Sequence, residues 1–321
     1  MRVLVTGATG FVGQAVLSRL ASDSAWQIRV AVRRNVPDLP ADVESVLVGD
    51  LALDTDWSRA VSEIDVIMHA AARVHVLRDR ATDSLAVFRR VNVEGTLALA
   101  RHAAHAGARR FIFLSSIKVN GEETVPGLPF TPEDGAKPLN AYGISKFEAE
   151  EGLKQISAAS GLEIVIIRPP LVYGPGVRAN FLSMMTWVYK GTPLPFGAVT
   201  HNKRSLVALE NLVDLIATCV DHPAAGNQTL LVSDGEDLST AELLNRLGAA
   251  LGRPARLIAI PPSLLISTAK LVARRDLARR LLGSLQVDIT KTRGLLGWHP
   301  PLSVDNGLER TARHFLEQLG H

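Results

Sequence analysis

The chain reads as an α/β protein: a doubly wound parallel sheet followed by a smaller C-terminal lobe. Three observations carry this reading. Six short runs in the N-terminal half, Val3–Val5, Ile28–Val32, Val46–Val48, Val66–Met68, Phe111–Leu114 and Ile164–Ile167, are apolar without alternation, the pattern of strands covered on both faces. Helix-like stretches at Val12–Ala21, Trp57–Val61, Ser84–Ala106 and Ala141–Ser160 separate them, so consecutive βαβ crossovers build the sheet. Three glycines, Gly7, Gly10 and Gly13, follow the first run in VTGATGFVG.

That glycine stretch joins the first strand to the first helix. Glycine lets the backbone turn sharply and approach a pyrophosphate, while the helix N-terminus offers N–H groups to the anion. The spacing is G-x-x-G-x-x-G, and its position after an opening strand favours a dinucleotide loop over a plain turn. The second strand should end in an acid if it is to hold a ribose 2′-hydroxyl. It ends instead in Arg33 and Arg34, whose guanidiniums suit a 2′-phosphate. They predict NADP(H) as the preferred cofactor, with NAD(H) the lesser choice. The third strand leads to Asp50, a candidate partner for adenine nitrogens. The strand Phe111–Leu114 ends in Ser115 and Ser116. The helix from Ala141 carries Tyr142 and Lys146 in a Y-x-x-x-K spacing, which puts both on one face. A lysine ammonium beside a phenol lowers the tyrosine pKa and prepares it to pass a proton. Past Gly174 the pattern loosens. Residues 1–174 read as the dinucleotide-binding domain. Residues 175–321 read mainly as a substrate-binding lobe, with segments such as Leu209–Val220 returning to the sheet.

The bulk numbers exclude several classes. Of 321 residues, 47% are hydrophobic and 5% aromatic, ordinary for a globular chain. The net charge of +3 is no nucleic-acid signature. One cysteine, Cys219, rules out an intramolecular disulfide and suits a reducing cytoplasm. Residues 1–13 lack the basic start of a signal peptide. Leu257–Ala273 is broken by Pro261, Pro262 and Lys270 and falls short of a membrane span. The nine histidines, His69 and His75 among them, show no metal-ligand spacing, so no metal is expected. The run 273–282 reads as an amphipathic helix with its charges in water.

Taken together, VTGATGFVG, GDL at 49–51, HAAA at 69–72, VNVEGT at 91–96, FLSS at 113–116, YGISK at 142–146, RPPLVYGP at 168–175 and TKTRGLLGW at 290–298 resemble the extended short-chain dehydrogenases/reductases of the NAD-dependent epimerase/dehydratase family. The resemblance spans nearly the whole chain. It implies a Rossmann sheet, a nicotinamide cofactor on the N-terminal lobe and a nucleotide-sugar, here a UDP-sugar, between the lobes. It implies that Ser116, Tyr142 and Lys146 act together. Ser116 is preferred over Ser115 because VNG at 119–121 stands in the place of the family's VYG. Cofactor contacts follow at Gly7, Gly10, Phe11, Val12, Gly13, Arg33, Arg34, Asp50, Leu51, Ala70, Ala71, Ala72, Tyr142, Lys146 and Pro169. Substrate contacts follow at Ser116, Lys118, Tyr142, Asn180 and Arg204, with the Arg274–Arg275 pair also suiting a diphosphate. Asn92 resembles a buried asparagine behind the site. Leu171 departs from the family, which often carries asparagine there. Such proteins commonly dimerise through a helix pair, though no residue here demands it.

The reaction is chosen by elimination. Dehydratases carry an acid pair after the catalytic hydroxyl, and here Ser116-Ile117-Lys118 offers no carboxylate. UDP-hexose 4-epimerases keep NAD tightly bound and show an acid where Arg33 stands. SSIKVNGEET with PLNAYGISK is most similar to the 4-ketoreductases of O-antigen polysaccharide biosynthesis. The resulting expectation is an NADPH-dependent oxidoreductase of the cytoplasm, reducing the C4 ketone of UDP-2-acetamido-2,6-dideoxy-4-hexulose to UDP-N-acetylquinovosamine. The alternatives are a UDP-glucose or UDP-N-acetylglucosamine 4-epimerase with bound NAD and, from another class, a non-catalytic NADP-sensing regulator. Reduction of a steroid-like or flavonoid-like ketone also fits the fold.

Overall fold

A computed structural model of the chain describes residues 1–37, 39–74, 84–271, 279 and 281–320. His75, Arg274, Arg275 and most of the run 273–282 lie outside them. The large sheet is built from β1 (Arg2–Thr6), β2 (Gln27–Val32), β3 (Glu44–Leu47), β4 (Val66–His69), β5 (Arg110–Leu114) and β6 (Glu163–Arg168), each matching one of the apolar runs to within two residues. A seventh strand, β9 (Gln228–Leu231), comes from far down the chain. The order across the sheet is β3-β2-β1-β4-β5-β6-β9, all parallel. Chain direction reverses its march at β1, so the crevice beyond the C-terminal ends of β1 and β4 is the switch point where ligands of such sheets bind.

Both faces are covered, as the non-alternating strands require. Val3 and Val5 of β1 face one layer with α1 (Phe11–Ala21), through Val16 and Leu20. Leu4 faces the other, with α2 (Ser58–Val61) through Ala60, and with Leu99 and Ala103. The long predicted helix from Ser84 is three pieces: α3 (Ser84–Arg89), one π-turn over Arg90–Gly95, and α4 (Thr96–His105). Glycine at 95 lets this turn pack closely, since a Cβ there would sit 3.0 Å from the Leu51 side chain. The helix α5 (Ala141–Ser160) starts on an Asn140 cap, whose side chain accepts from the Gly143 N–H, and ends at Gly161 with φ of +76°.

The smaller lobe has its own sheet of β7 (Leu171–Tyr173), β8 (Arg204–Ala208) and a third strand, β10 (Asp237–Leu238). Between β7 and β8 lies α6 (Ala179–Tyr189). After β8, α7 (Leu209–Asp221) packs on α1, and β9 (Gln228–Leu231) pairs with β6. β7 belongs to the small sheet, whereas α7 packs on α1 and β9 extends the large sheet. The lobe is completed by α8 (Thr240–Ala250), which opens on a Ser239–Glu242 capping box, and by α9 (Pro262–Leu271), α10 (Thr290–Leu296) and α11 (Val304–Gln318). Val304, Leu308, Ala312 and Phe315 form the apolar stripe of α11, and they meet Phe181, Met184 and Leu244 in one core. Among the described residues no helix is long and apolar enough to cross a membrane.

Candidate active site

Parallel strands end on the same edge of a sheet, and that edge builds the site. At five of the seven strand ends the next residue was singled out from sequence: Gly7 after β1, Arg33 after β2, Ala70 after β4, Ser115 after β5 and Pro169 after β6. All of them line one cleft of about 1800 Å³. So do Gly10, Phe11, Val12, Gly13, Arg34, Asp50, Leu51, Ala71, Ala72, Ser116, Lys118, Tyr142 and Lys146, and, from the smaller lobe, Asn180 and Arg204. A drug-sized ligand fills roughly 300–1,000 Å³, so this cleft has room for two nucleotide-sized molecules.

The glycine loop closes on itself. Gly7 has φ of +73°, and a Cβ there would come within 2.6 Å of the Ala71 nitrogen; a Cβ on Gly13 would lie 2.0 Å from the Gly7 carbonyl. Gly10 caps α1 without a side chain, and the first turn carries no acid. The leading amides of α1, at Phe11, Val12 and Gly13, thus have no intrahelical partner, and they face the cleft with the positive end of the helix dipole. This donor set fits the pyrophosphate of a dinucleotide. On the rim, Arg33 lies 3.5 Å from the Asp50 carboxylate with both side chains exposed. The two residues read separately from sequence are therefore a pair across the β2 and β3 ends.

Tyr142 and Lys146 stand one turn apart at the start of α5. The Lys146 ammonium donates to the Leu114 carbonyl at 2.8 Å and lies 4.3 Å from the centre of the Phe113 ring. Burial pulls its pKa down to about 7, against the opposing pull of the Glu150 carboxylate. The half-buried Tyr142 phenol is pushed up to about 12 by burial. The expected depression of the tyrosine is thus reversed in the protein alone, because burial disfavours the phenolate. Ser115 and Ser116 separate cleanly. Ser115 donates to the buried Glu150 carboxylate, which Arg168 also holds through Nε at 3.0 Å, while Arg168 Nη1 donates to Asn120 Oδ1 at 3.0 Å. Ser116 Oγ accepts from the Lys118 N–H at 3.3 Å on the cleft side.

Behind these groups, Asn92 is fully buried in the π-turn. It donates to Ser145 Oγ at 3.0 Å and to the Arg73 carbonyl at 3.1 Å, and accepts from the Arg73 N–H at 2.8 Å. It ties the segment after Ala72 to the helix that carries Tyr142 and Lys146. His69 is a buried, neutral imidazole, with one ring nitrogen 2.7 Å from Thr6 Oγ1 and the other 3.0 Å from Thr96 Oγ1. Burial lowers its pKa to about 3. Among the described residues no three His, Cys, Asp or Glu side chains form a metal-binding group.

Sequence reasoning passed over Glu122, Arg178, Trp187 and Arg279, which also line the cleft. Glu122 had a signal, its i,i+4 spacing from Lys118, and the two form an ion pair at 2.8 Å. Arg178 and Arg279 had none, since only the packing of the smaller lobe brings them to the cleft. Leu171, the departure from the family's asparagine, lies on the cleft wall and is 41% exposed.

The model of the NAD dependent epimerase/dehydratase family matches residues 3–233. The UDP-glucose 4-epimerase of Vibrio cholerae is 47% identical over 315 residues, covering 98% of this chain and 95% of that relative. The solved UDP-glucuronic acid 4-epimerase of Bacillus cereus, in complex with NAD, superposes with a TM-score of 0.79 at 21% identity, covering 99% of this chain and 97% of its own. The UDP-glucose 4-epimerase of Thermotoga maritima, solved with UDP-glucose, gives 0.78 at 20% identity, covering 99% and 100%. At such identities the two structures speak for the fold alone.

The likeness to the Vibrio cholerae protein overturns the expected C4-ketoreductase, and with it the formation of UDP-N-acetylquinovosamine as the reaction. It points to the epimerase that stood as the alternative. The physical reason for the error is plain. Arg33 and Arg34 bear on which dinucleotide is held, whereas reductase and epimerase differ in whether the oxidised sugar turns over within the cleft before C4 is reduced. No residue at the end of β2 reports on that.

Proposed function

Since the chain belongs to the NAD dependent epimerase/dehydratase family, we propose that it interconverts the C4 epimers of a UDP-hexose. The observation that carries this is the 47% identity, across 98% of the chain, to a UDP-glucose 4-epimerase.

The glycine loop with the α1 terminus would hold a nicotinamide dinucleotide, joined by Arg33, Arg34, Asp50, Leu51, Ala70–Ala72, Lys146 and Pro169. Bound there, the nicotinamide supplies reversible two-electron oxidation and reduction at C4. As the phenolate, Tyr142 takes the proton from the sugar O4, and as the phenol it returns that proton once the ring has turned. Ser116 Oγ holds O4 against the phenol, and Lys146 stabilises the phenolate while it exists. Asn180 and Arg204, opposite on the smaller lobe, hold the diphosphate. For the cofactor itself, Arg33 and Arg34 favour a 2′-phosphate. Asp50 offsets part of the Arg33 charge, so Arg34 carries the larger share.

Incubation of the purified protein with UDP-glucose and, separately, with UDP-galactose tests the reaction. The same mixture of epimers should form from either side, without net consumption of dinucleotide. No conversion of either sugar, nor of the 2-acetamido pair, overturns it. Denaturation of the protein and identification of the released nucleotide tests the cofactor. Tightly held NAD, with affinity unchanged in Arg34→Ala, would reject the reading of the arginines.

A further inference from the structure

One feature of the cleft wall is unused by that mechanism. Lys118 and Glu122 are only 21% and 13% exposed, and the Lys118 ammonium meets both Glu122 carboxylate oxygens at 2.8 Å. The Glu122 carboxylate also accepts from Asn140 Nδ2. Asn140 is the N-cap of α5, its Oδ1 accepting from the Gly143 N–H at 2.8 Å. At the other end, the Lys118 N–H is held by Ser116 Oγ at 3.3 Å. The two segments also touch backbone to backbone: a Cβ on Gly143 would sit 2.8 Å from the Lys118 carbonyl.

One chain of hydrogen bonds, charge-assisted where Lys118 and Asn140 meet Glu122, therefore runs from Ser116 to the turn that carries Tyr142. We propose that Glu122, with Lys118 and Asn140, is a positioning residue: it sets the distance between the Ser116 hydroxyl and the Tyr142 phenol. This deepens the epimerase reading and rests on it. The physics favours a device acting during turnover rather than a plain brace. The pair borders the cleft, so a bound sugar removes water from it and strengthens the attraction. The clamp thus tightens when substrate is present. A half-buried carboxylate with both oxygens engaged leaves little capacity to bind the sugar directly.

The test compares Glu122→Gln, Lys118→Met and the double variant, each loaded with cofactor. Each single variant should lower kcat by about 10- to 100-fold, the loss that a misplaced reacting group produces. KM and dinucleotide affinity should stay within about twofold. The double variant should be no worse than the weaker single one, because the two residues act as one unit. Unchanged kcat with a lowered melting temperature would make the network a brace only, and a rise in KM alone would make it a sugar contact; either overturns the proposal. Hydrogen exchange in residues 141–146 gives a reading free of turnover. Glu122→Gln should speed it there and not at the far end of α5, and unchanged exchange also overturns the proposal. An inactive wild type would sink the epimerase reading instead, with the exchange measurement still deciding the clamp.

Discussion

Lys146 sits where burial and function pull in opposite directions. Its pKa falls from 10.5 to about 7 on folding. Between those values the folded protein carries one proton fewer than the unfolded chain, so stability climbs as pH rises through that window and is flat below it. The melting temperature of the wild type, measured against Lys146→Met, should move in favour of the wild type between pH 7 and 9. A constant difference would show that Lys146 is charged throughout. His69 runs on the same logic at lower pH: its pKa drops from 6.5 to about 3. The protein should lose stability as pH falls through that range, and His69→Gln should lose less. Tyr142→Phe keeps the ring against Phe88 at 6.1 Å and removes the exchanged proton. It should cut turnover by about a thousandfold with dinucleotide binding intact, as read by titration of the protein with the nucleotide.

At the scale of elements, what could be read from sequence was what is local. The strands of the large sheet show as runs of β-branched and aliphatic residues because both their faces are buried, and α5 shows through the spacing of Tyr142 and Lys146. Strands of two and three residues, such as β10 and β7, carry too few residues for any period. The pairing of β10 with β8 is decided by chain far away in sequence. The π-turn at Arg90–Gly95 escaped for another reason. Val91, Asn92, Val93 and Gly95 are weak helix formers, which loosens the helix without specifying a π-turn, and the wider turn leaves Asn92 buried behind the site. Glu150 and Arg168 were likewise invisible as a pair, being brought together by the packing of α5 on β6. An element-level prediction follows for α11. Phe315 is buried against Tyr189, ring centres 5.7 Å apart, so Phe315→Ala should cost about 3–5 kcal/mol, measured by denaturant unfolding. A loss below 1 kcal/mol would mean that α11 contributes little to the lobe.

For the whole molecule, the cleft lies between a sheet edge and a lobe, so ligands bridge the two cores. A UDP molecule held by Asn180 and Arg204 against the sheet side should therefore stabilise the folded chain. At a hundredfold excess over Kd the gain is about 2.7 kcal/mol, readable as a rise in melting temperature, and Arg204→Ala should abolish it. A rise that survives this change would place the diphosphate elsewhere.

The late arrival of β9 also bears on how the protein is made. A ribosome delivers the chain from its N-terminus, and domains generally fold in that order. Six strands can assemble once Arg168 has emerged, yet the outer edge of β6 stays unpaired until Gln228–Leu231 follows. During that interval the nascent chain displays an open row of amides and carbonyls beside Val165 and Ile167. Such an edge is a template for a neighbouring chain. The stretch of translation between β6 and β9 is thus the period when a crowded polysome is most exposed to aggregation, and when a holding chaperone has most to protect.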